Sequence, residues 1–407
     1  SYMETGRKAI KALAKEASLL PQEELLQVLA GQKDLTIGIP KEISLQEKRV
    51  ALVPEAVALL VAHGHQVLIE SGAGEDSNFS DIDYSESGAR IIHERKQVFE
   101  AGLILKVEPP SLDEVDLMER GATLVSALQI NVQNKELLIK LGQKKITAIA
   151  WDLIRNKNGL YPLVRAMGEI AGNVCILIAG NLLSGEKSKS AMLGGISGVR
   201  PSEIVILGAG TVGEFAARAA MGLGAQVKIF DNRPHRLVRI QQSLGQRVWT
   251  STLQPSVLND ALKTADVAIG AFRGDGSRSP MIVSEPMVSS MKEGSVIIDV
   301  CIDRGGCFET SQMTSHESPT YMDHGVIHYC VPNIASSVSG TASQALSNIL
   351  APFILGIVSD GGLDLAIRSA NVVKSGVYMY KGVITNRDVA GERDLPFKDL
   401  DLLLATY

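Results

Sequence analysis

Short apolar runs alternate along this chain with stretches whose apolar positions recur every three or four residues. Ile204-Val-Ile-Leu207 is four apolar residues in a row, the pattern of a strand buried on both faces. Three glycines follow it, and then Glu214 to Leu223 at helical spacing. A second apolar run, Val227 to Phe230, ends in Asp231. The N-terminal half repeats the alternation. It predicts strands at Thr36 to Pro40, Gln66 to Glu70, Leu103 to Val107, Thr123 to Leu128 and Ile146 to Ala150, and a helix from Pro54 through Ala62. Further strands are expected at Val267 to Gly270, Ser295 to Ile302 and His328 to Val331. Pro162 to Leu183 and Ile334 to Val358 read as two long apolar helices. Strands alternating with helices predict α/β architecture, parallel sheets covered by helices on both faces. Residues 1–34, with leucines and alanines at helical spacing, form a helical extension in this reading.

The glycines give the central segment its chemistry. Gly208 makes a tight strand-to-helix turn, Gly210 leaves no Cβ in the way of a pyrophosphate, and Gly213 allows close helix–strand contact. Free N–H groups at the start of the following helix then face phosphate oxygens. Asp231, about twenty residues beyond the central glycine, is placed to accept ribose hydroxyls. The segment predicts a dinucleotide site. A carboxylate there repels a 2′-phosphate and favours NAD, while nearby Arg233 and Arg236 leave NADP open.

The 407 residues are enough for two domains, and 45% hydrophobic with 21% charged residues is ordinary for a globular enzyme. A net charge of −5 without a basic cluster argues against nucleic acid as a partner. Cys175, Cys301, Cys307 and Cys330 form no C-x-x-C pair, which suits reduced thiols in a cytoplasm and no metal centre. No apolar run is expected to reach bilayer-spanning length, because Gly172, Asn173, Gly180 and Asn181 interrupt the longest. By the crevice rule, functional side chains lie at the carboxyl ends of the strands. Asp303, before Gly305 and Gly306, and Asn333, after His328 to Val331, are the candidates there, each with a capping or turn-forming role as the alternative. Asp299, inside its strand, reads as structural.

Gly38-Ile-Pro-Lys-Glu42, Arg49-Val-Ala51, Glu70-Ser-Gly-Ala-Gly74, Leu105-Lys-Val107, Glu169-Ile-Ala-Gly172, Gly208-Ala-Gly-Thr-Val-Gly213 and Ile302-Asp-Arg-Gly-Gly-Cys-Phe-Glu309 resemble the alanine dehydrogenases and the alpha subunits of proton-translocating transhydrogenases. The resemblance spans residues 36–385. It implies two Rossmann-like, doubly wound parallel-sheet domains joined by two long helices. The substrate domain would take residues 35–165 and 337–407, and the NAD-binding domain residues 166–336. It implies that Arg49 holds a substrate carboxylate, that Asp303 is catalytic and that Asp231 binds ribose. It further implies that Asn333 contributes to the site and that Gly168 stands where the family has a serine. Candidate cofactor contacts are Gly208, Ala209, Gly210, Thr211, Val212, Gly213, Asp231, Asn232, Arg236, Gly168, Ala271, Phe272, Val300, Asp303 and Asn333.

Two family positions differ. A substrate-binding lysine is replaced by Glu108, which reverses the sign of the field at a substrate carboxylate. The catalytic histidine falls on Gln129, which cannot titrate, although general acid–base catalysis is typically worth about 10²–10⁴-fold. Lys106 is the candidate substitute cation or proton carrier, with a strand lysine reaching a surface or a structural carboxylate as its alternative. Three functions follow from the resemblance and its departures. The first is an NAD-dependent alanine dehydrogenase-like enzyme acting on an amino acid and a 2-oxo acid. The second is a transhydrogenase alpha-like subunit passing hydride to an NADP-loaded membrane partner. The third is an NAD-binding protein without turnover. The resemblance also implies a homo-oligomer, hexameric or dimeric, and no membrane segment in the chain itself.

Overall fold

A computed structural model describes residues 35–407 except 45, 131–132, 273–277 and 392. The expected extension over residues 1–34 lies outside the described residues. In chain order the strands are β1 (Thr36–Ile39), β2 (Gln66–Glu70), β3 (Arg90–Ile92), β4 (Leu103–Leu105), β5 (Thr123–Ser126) and β6 (Thr147–Ala150). Then come β7 (Glu203–Leu207), β8 (Gln226–Phe230), β9 (Trp249–Ser251), β10 (Val267–Gly270), β11 (Val296–Asp299), β12 (Thr320–Asp323) and β13 (Val326–Tyr329). The chain closes with β14 (Val377–Tyr380) and β15 (Val383–Ile384).

These strands make two sheets, one in each of two compact units. The first sheet has the order β3-β2-β1-β4-β5-β6-β14-β15, parallel through β6 and antiparallel beyond it. The second has the order β9-β8-β7-β10-β11-β13-β12, parallel except for β12. Each sheet grows outward in one direction for three strands and then crosses to the other side of its first strand. The switch points fall between β1 and β4 and between β7 and β10. Both units are Rossmann-like, as the alternation of strands and helices predicts. One unit comprises the residues up to Ile43, Lys48–Leu163 and Ser343–Tyr407, and the other Ser44–Glu47 and Val164–Ala342.

The continuous apolar runs exist because both faces of the second sheet are covered. Ile204 and Ile206 of β7 enter a core with Ala216, Ala217 and Ala220 of helix Thr211–Gly222 and with Cys175, Ile176 and Ala179 of helix Pro162–Ser184. Val205 and Leu207 point the other way, into a core with Leu258, Ala261 and Leu262 of helix Pro255–Thr264. A strand with one solvated face would alternate; this one cannot. Burying each such side chain contributes about 1.5–3 kcal/mol.

The long helices differ from expectation in two respects. Pro162–Ser184 forms as predicted, but the stretch from Ile334 is a 3-10 turn over Ile334–Val338 followed by an α-helix over Ser339–Ser359. Asn333 stands before that turn in the left-handed conformation, φ 56°. The expectation that no apolar run reaches spanning length is also corrected. Pro162–Ser184 and Ile334–Val358 are long and apolar enough to cross a bilayer by length and composition alone. Core packing accounts for much of that apolarity: Ala171, Val174, Cys175, Ile176, Ala179 and Leu183 of the first helix are buried, as are Ala342, Leu346, Leu350, Ile354 and Ile357 of the second.

Candidate active site

The glycine turn at the end of β7 has the geometry its sequence implies. Gly208 adopts φ 113°, and a Cβ there would lie 2.4 Å from the Ala271 carbonyl oxygen. A Cβ on Gly213 would lie 1.8 Å from the Gly208 carbonyl oxygen, so only glycine lets helix Thr211–Gly222 start this close to the strand. At Gly210 the surroundings are open: a Cβ would meet only an Arg236 guanidinium nitrogen, at 3.9 Å. That cradle fits a pyrophosphate, which needs backbone N–H groups and no side chain in front of them. Thr211 and Val212 form the first turn of the helix. Gly168 packs beside them, its position for a Cβ 3.4 Å from Thr211 Cγ2 and 3.5 Å from Val212 Cγ2.

Asp231, at the end of β8, is fully buried. Its Oδ2 accepts from the Ala209 N–H at 2.9 Å and its Oδ1 from the Arg233 N–H at 2.8 Å. Arg236 Nη1 stands 4.0 Å from Oδ2. The carboxylate therefore braces the glycine turn directly. Arg239 braces its other side, donating to the Ala209 carbonyl at 3.0 Å. The exposed Asn232 accepts from the Leu253 N–H at 3.0 Å. Ala271 and Phe272 leave β10 beside the turn, where the Ala271 N–H donates to the Leu207 carbonyl at 2.8 Å. At the end of β11, the Val300 N–H donates to the Gly270 carbonyl at 2.9 Å.

Asp303 is exposed on the short turn Ile302–Arg304 after β11. Asp299 shapes that turn: its buried carboxylate accepts from the Cys301 N–H at 3.1 Å, the Cys307 N–H at 2.8 Å and the Ser311 hydroxyl at 2.6 Å. Burial pushes the Asp299 carboxyl up. Ligand-type atoms of Asp299, Cys301 and Cys307 lie within 4.8 Å of one another. The carboxylate is nevertheless taken up by those three donors, and the Cys301 thiol donates to the Phe272 carbonyl at 3.1 Å. The neighbouring Cys301 thiol, and then burial, push the Cys307 thiol far up, so it stays protonated. The trio is a turn clamp. Asn333 reaches the same place from β13, its backbone N–H 3.5 Å from Asp303 Oδ2.

The remaining candidates lie in the other unit, Lys106 and Glu108 after β4, Gln129 after β5 and Arg49 in the segment between β1 and helix Pro54–Ala62. Lys106 is buried, with Nζ 3.4 Å from Glu42 Oε1 and 3.6 Å from Glu114 Oε1. Nζ also donates to the Glu108 carbonyl at 3.0 Å and the Pro109 carbonyl at 3.4 Å. The structural partnership is thus the one realised. Glu42 Oε1 holds the N–H groups of Val107 at 2.9 Å and Glu108 at 2.7 Å. Glu114, which also closes the capping box of helix Leu112–Leu117 with Ser111, carries the network on to Arg95 at 2.5 Å, and Arg95 bonds Glu70 at 2.5 Å. Gln129 is exposed at the end of β5 with φ 52°. Its N–H and that of Leu128 each donate to the Asp152 carboxylate at 2.9 Å. Arg49 is buried. Its neighbours are tied down: the Ser77 hydroxyl donates to the Lys48 carbonyl at 2.6 Å, and the Val50 N–H donates to Ser343 Oγ at 2.9 Å.

The candidates therefore form two groups. Gly168, the glycine turn, Asp231, Asn232, Arg236, Ala271, Phe272, Val300, Asp303 and Asn333 share one unit, and Arg49, Lys106, Glu108 and Gln129 the other. Sequence reasoning missed Glu47, Asp152, Arg239 and Ser343. Asp152 directly follows the strand ending at Ala150 and Trp151, so an acid at a strand end was its available signal. The others had none, because their partners are distant in sequence.

Two doubly wound units, one carrying a glycine-rich strand-to-helix turn and an exposed strand-end carboxylate, have the architecture on which nicotinamide-dependent oxidoreductases are built. The alanine dehydrogenase/PNT N-terminal domain model matches residues 38–171, and its C-terminal counterpart matches residues 175–387. An alanine dehydrogenase of Mycolicibacterium smegmatis is 38% identical over 373 residues, which cover 91% of this chain and 100% of that protein. Alanine dehydrogenase 2 of Staphylococcus aureus is 37% identical, covering 90% and 99%. Among solved structures, an L-alanine dehydrogenase superposes with a TM-score of 0.83 at 37% identity, covering 88% of this chain and 98% of that one. A transhydrogenase from Sinorhizobium meliloti gives 0.74 at 25% identity, covering 86% and 99%. The chain belongs to the alanine dehydrogenase/PNT family.

Proposed function

We propose that the chain is an NAD(H)-dependent amino-acid dehydrogenase that interconverts L-alanine, or a closely related amino acid, with its 2-oxo acid and ammonia. The observation that carries the reading is Asp303, an exposed carboxylate at the carboxyl end of β11 in the unit that holds the glycine turn. Bound coenzyme supplies hydride transfer. The N–H groups of the turn hold its phosphates, with Gly210 leaving the approach open, and Asp303 holds or releases the proton that accompanies amine formation. Arg49 is the anchor for a substrate carboxylate. Asp231 favours NAD over NADP, since a 2′-phosphate would meet its negative charge. In keeping with the family the protein acts as a homo-oligomer, and its free cysteines suit a reducing cytoplasm.

The test is steady-state kinetics with NADH, ammonia and a panel of 2-oxo acids. Turnover with at least one acid is expected, with Asp303→Asn lowering kcat about 10²–10⁴-fold. No turnover with any acid overturns the proposal.

Gln129 favours a second reading, a transhydrogenase alpha-like subunit, because direct transfer between two nicotinamides moves a hydride and leaves no proton to manage. It predicts co-purification with a membrane-embedded partner and hydride exchange with that partner's bound NADP. Absence of both rejects it.

A further inference from the structure

We infer that Glu47 is a positioning residue for the proposed hydride transfer, acting on Asp303 through Asn333. The inference rests on the dehydrogenase reading and adds to it a residue that touches neither coenzyme nor substrate. Glu47 is only 3% exposed. Its Oε2 accepts from Asn333 Nδ2 at 2.9 Å, and its Oε1 lies 3.4 Å from the Ser336 hydroxyl. The two bonded residues are three apart, and the 3-10 turn Ile334–Val338 begins between them. One buried carboxylate thus grips both the residue that enters the turn and a residue inside it.

What this grip fixes is a strained backbone. Asn333 sits at φ 56°, in the left-handed region, uncommon for a non-glycine residue although asparagine enters it more readily than most. In that conformation its N–H faces Asp303 Oδ2 at 3.5 Å. The side chain of Asn333 is therefore committed to Glu47 and its backbone to Asp303. A buried carboxyl acceptor with little solvent competition makes the Glu47–Asn333 bond a strong one. Without it, Asn333 can relax toward right-handed backbone, and its N–H turns away from the carboxylate. Glu47 sits two residues before Arg49 in sequence and 286 residues from Asn333, so no local pattern announces the pairing.

The test compares wild type with Glu47→Ala, Glu47→Gln and Asn333→Ala. Glu47→Gln keeps an acceptor oxygen for Asn333, whereas Glu47→Ala removes it. In a crystal structure of Glu47→Ala, Asn333 is expected to leave the left-handed region. Glu47→Ala should lower kcat roughly 10- to 100-fold, the scale of a misplacement of about 1 Å, with the KM for NADH within about twofold of wild type. Glu47→Gln should recover part of that loss, and the pH dependence of kcat should move in Glu47→Ala because Asp303 loses a donor. Asn333 unmoved in the crystal, kcat unchanged, or a loss equal in both Glu47 variants with an unshifted pH profile would each overturn the inference. If wild type turns over no 2-oxo acid, the dehydrogenase reading fails separately, and the emission of bound NADH decides for Glu47. Emission altered alike in Glu47→Ala and Asn333→Ala supports the positioning role. Emission altered in Asn333→Ala alone overturns it, as does a wild type that does not bind NADH.

Discussion

The two units share a strand order and differ in what fills the turn after the first strand. In the second unit, β7 runs into a turn with no side chain at Gly210, an Arg236 guanidinium nitrogen stands 3.9 Å from where a Cβ would be, and Asp231 and Arg239 are bonded to the backbone of Ala209. In the first, β1 runs into Pro40-Lys41-Glu42, and the corresponding switch point is occupied by the chain's own ions. Glu42, Glu70, Arg95, Lys106 and Glu114 form a continuous partly buried network there. One topology has been furnished in two ways: with an open glycine turn, and with a crevice whose charges are matched internally. Topology locates the crevice in both, and side chains decide whether anything can enter.

The strongest perturbation of this contrast is Lys106→Met in the first unit. It leaves Glu42 and Glu114 buried without their shared cation, and a loss of about 3–5 kcal/mol in unfolding free energy is expected. Chemical denaturation followed by circular dichroism measures it; a loss below about 1 kcal/mol would mean that the network is no more than a surface ion pair.

Gly210→Ala probes the open turn of the second unit. A Cβ there meets no protein atom closer than 3.9 Å, so the melting temperature should barely change. NADH affinity, measured by fluorescence titration, should fall roughly tenfold or more as the methyl group intrudes on the pyrophosphate, about 1.4 kcal/mol. Unchanged affinity would place the phosphates elsewhere.

The smallest effect is expected at the outer edge of the second sheet, where β12 and β13 pair antiparallel. His328 is fully buried, its Nδ1 2.8 Å from the Val326 carbonyl and its Nε2 2.8 Å from the Thr310 hydroxyl. The carbonyl can only accept, so Nδ1 carries the proton and Nε2 accepts from Thr310. Burial lowers the affinity of this ring for a second proton. The unfolded chain then binds a proton below the ordinary histidine range that the folded chain refuses. This contribution leaves stability flat above about pH 6.5 and reduces it as pH falls from there toward the depressed folded value, by at most about 1.4 kcal/mol per pH unit. Melting curves of wild type and His328→Gln between about pH 5 and pH 8 should converge on the acid side. A constant gap between them would remove the histidine from the account.

Much of the architecture was readable from the chain, because it depends on local patterns. The run Ile204 to Leu207 had to be covered on both faces, and the three glycines had to serve a turn, an open approach and a close contact. The β14–β15 pair escaped notice because Val377–Tyr380 and Val383–Ile384 extend a sheet begun more than 200 residues earlier, the Lys381 N–H bonding Thr147 Oγ1 across a separation of 234 residues. The helix break before Ser339 was hidden because Asn333, which precedes it in the left-handed conformation, is bonded to Glu47, 286 residues away in sequence. Lys106 was visible as a lysine beside the site, but the carboxylates that enclose it, Glu42 and Glu114, come from separate elements. Serines illustrate the same limit: Ser343 and Ser347 look like ordinary helix residues, yet they accept the N–H groups of Val50 and Val53 and so hold the segment that carries Arg49.

Gln129 and Asn333 both occupy backbone that glycine would adopt more cheaply, by about 1 kcal/mol or more. Each is gripped by a buried or strand-end acid, Asp152 for one and Glu47 for the other. Asp152 holds Gln129 by its backbone N–H, whereas Glu47 holds Asn333 by its side-chain amide. Glycine at position 333 would therefore cut a tether that glycine at position 129 would leave in place.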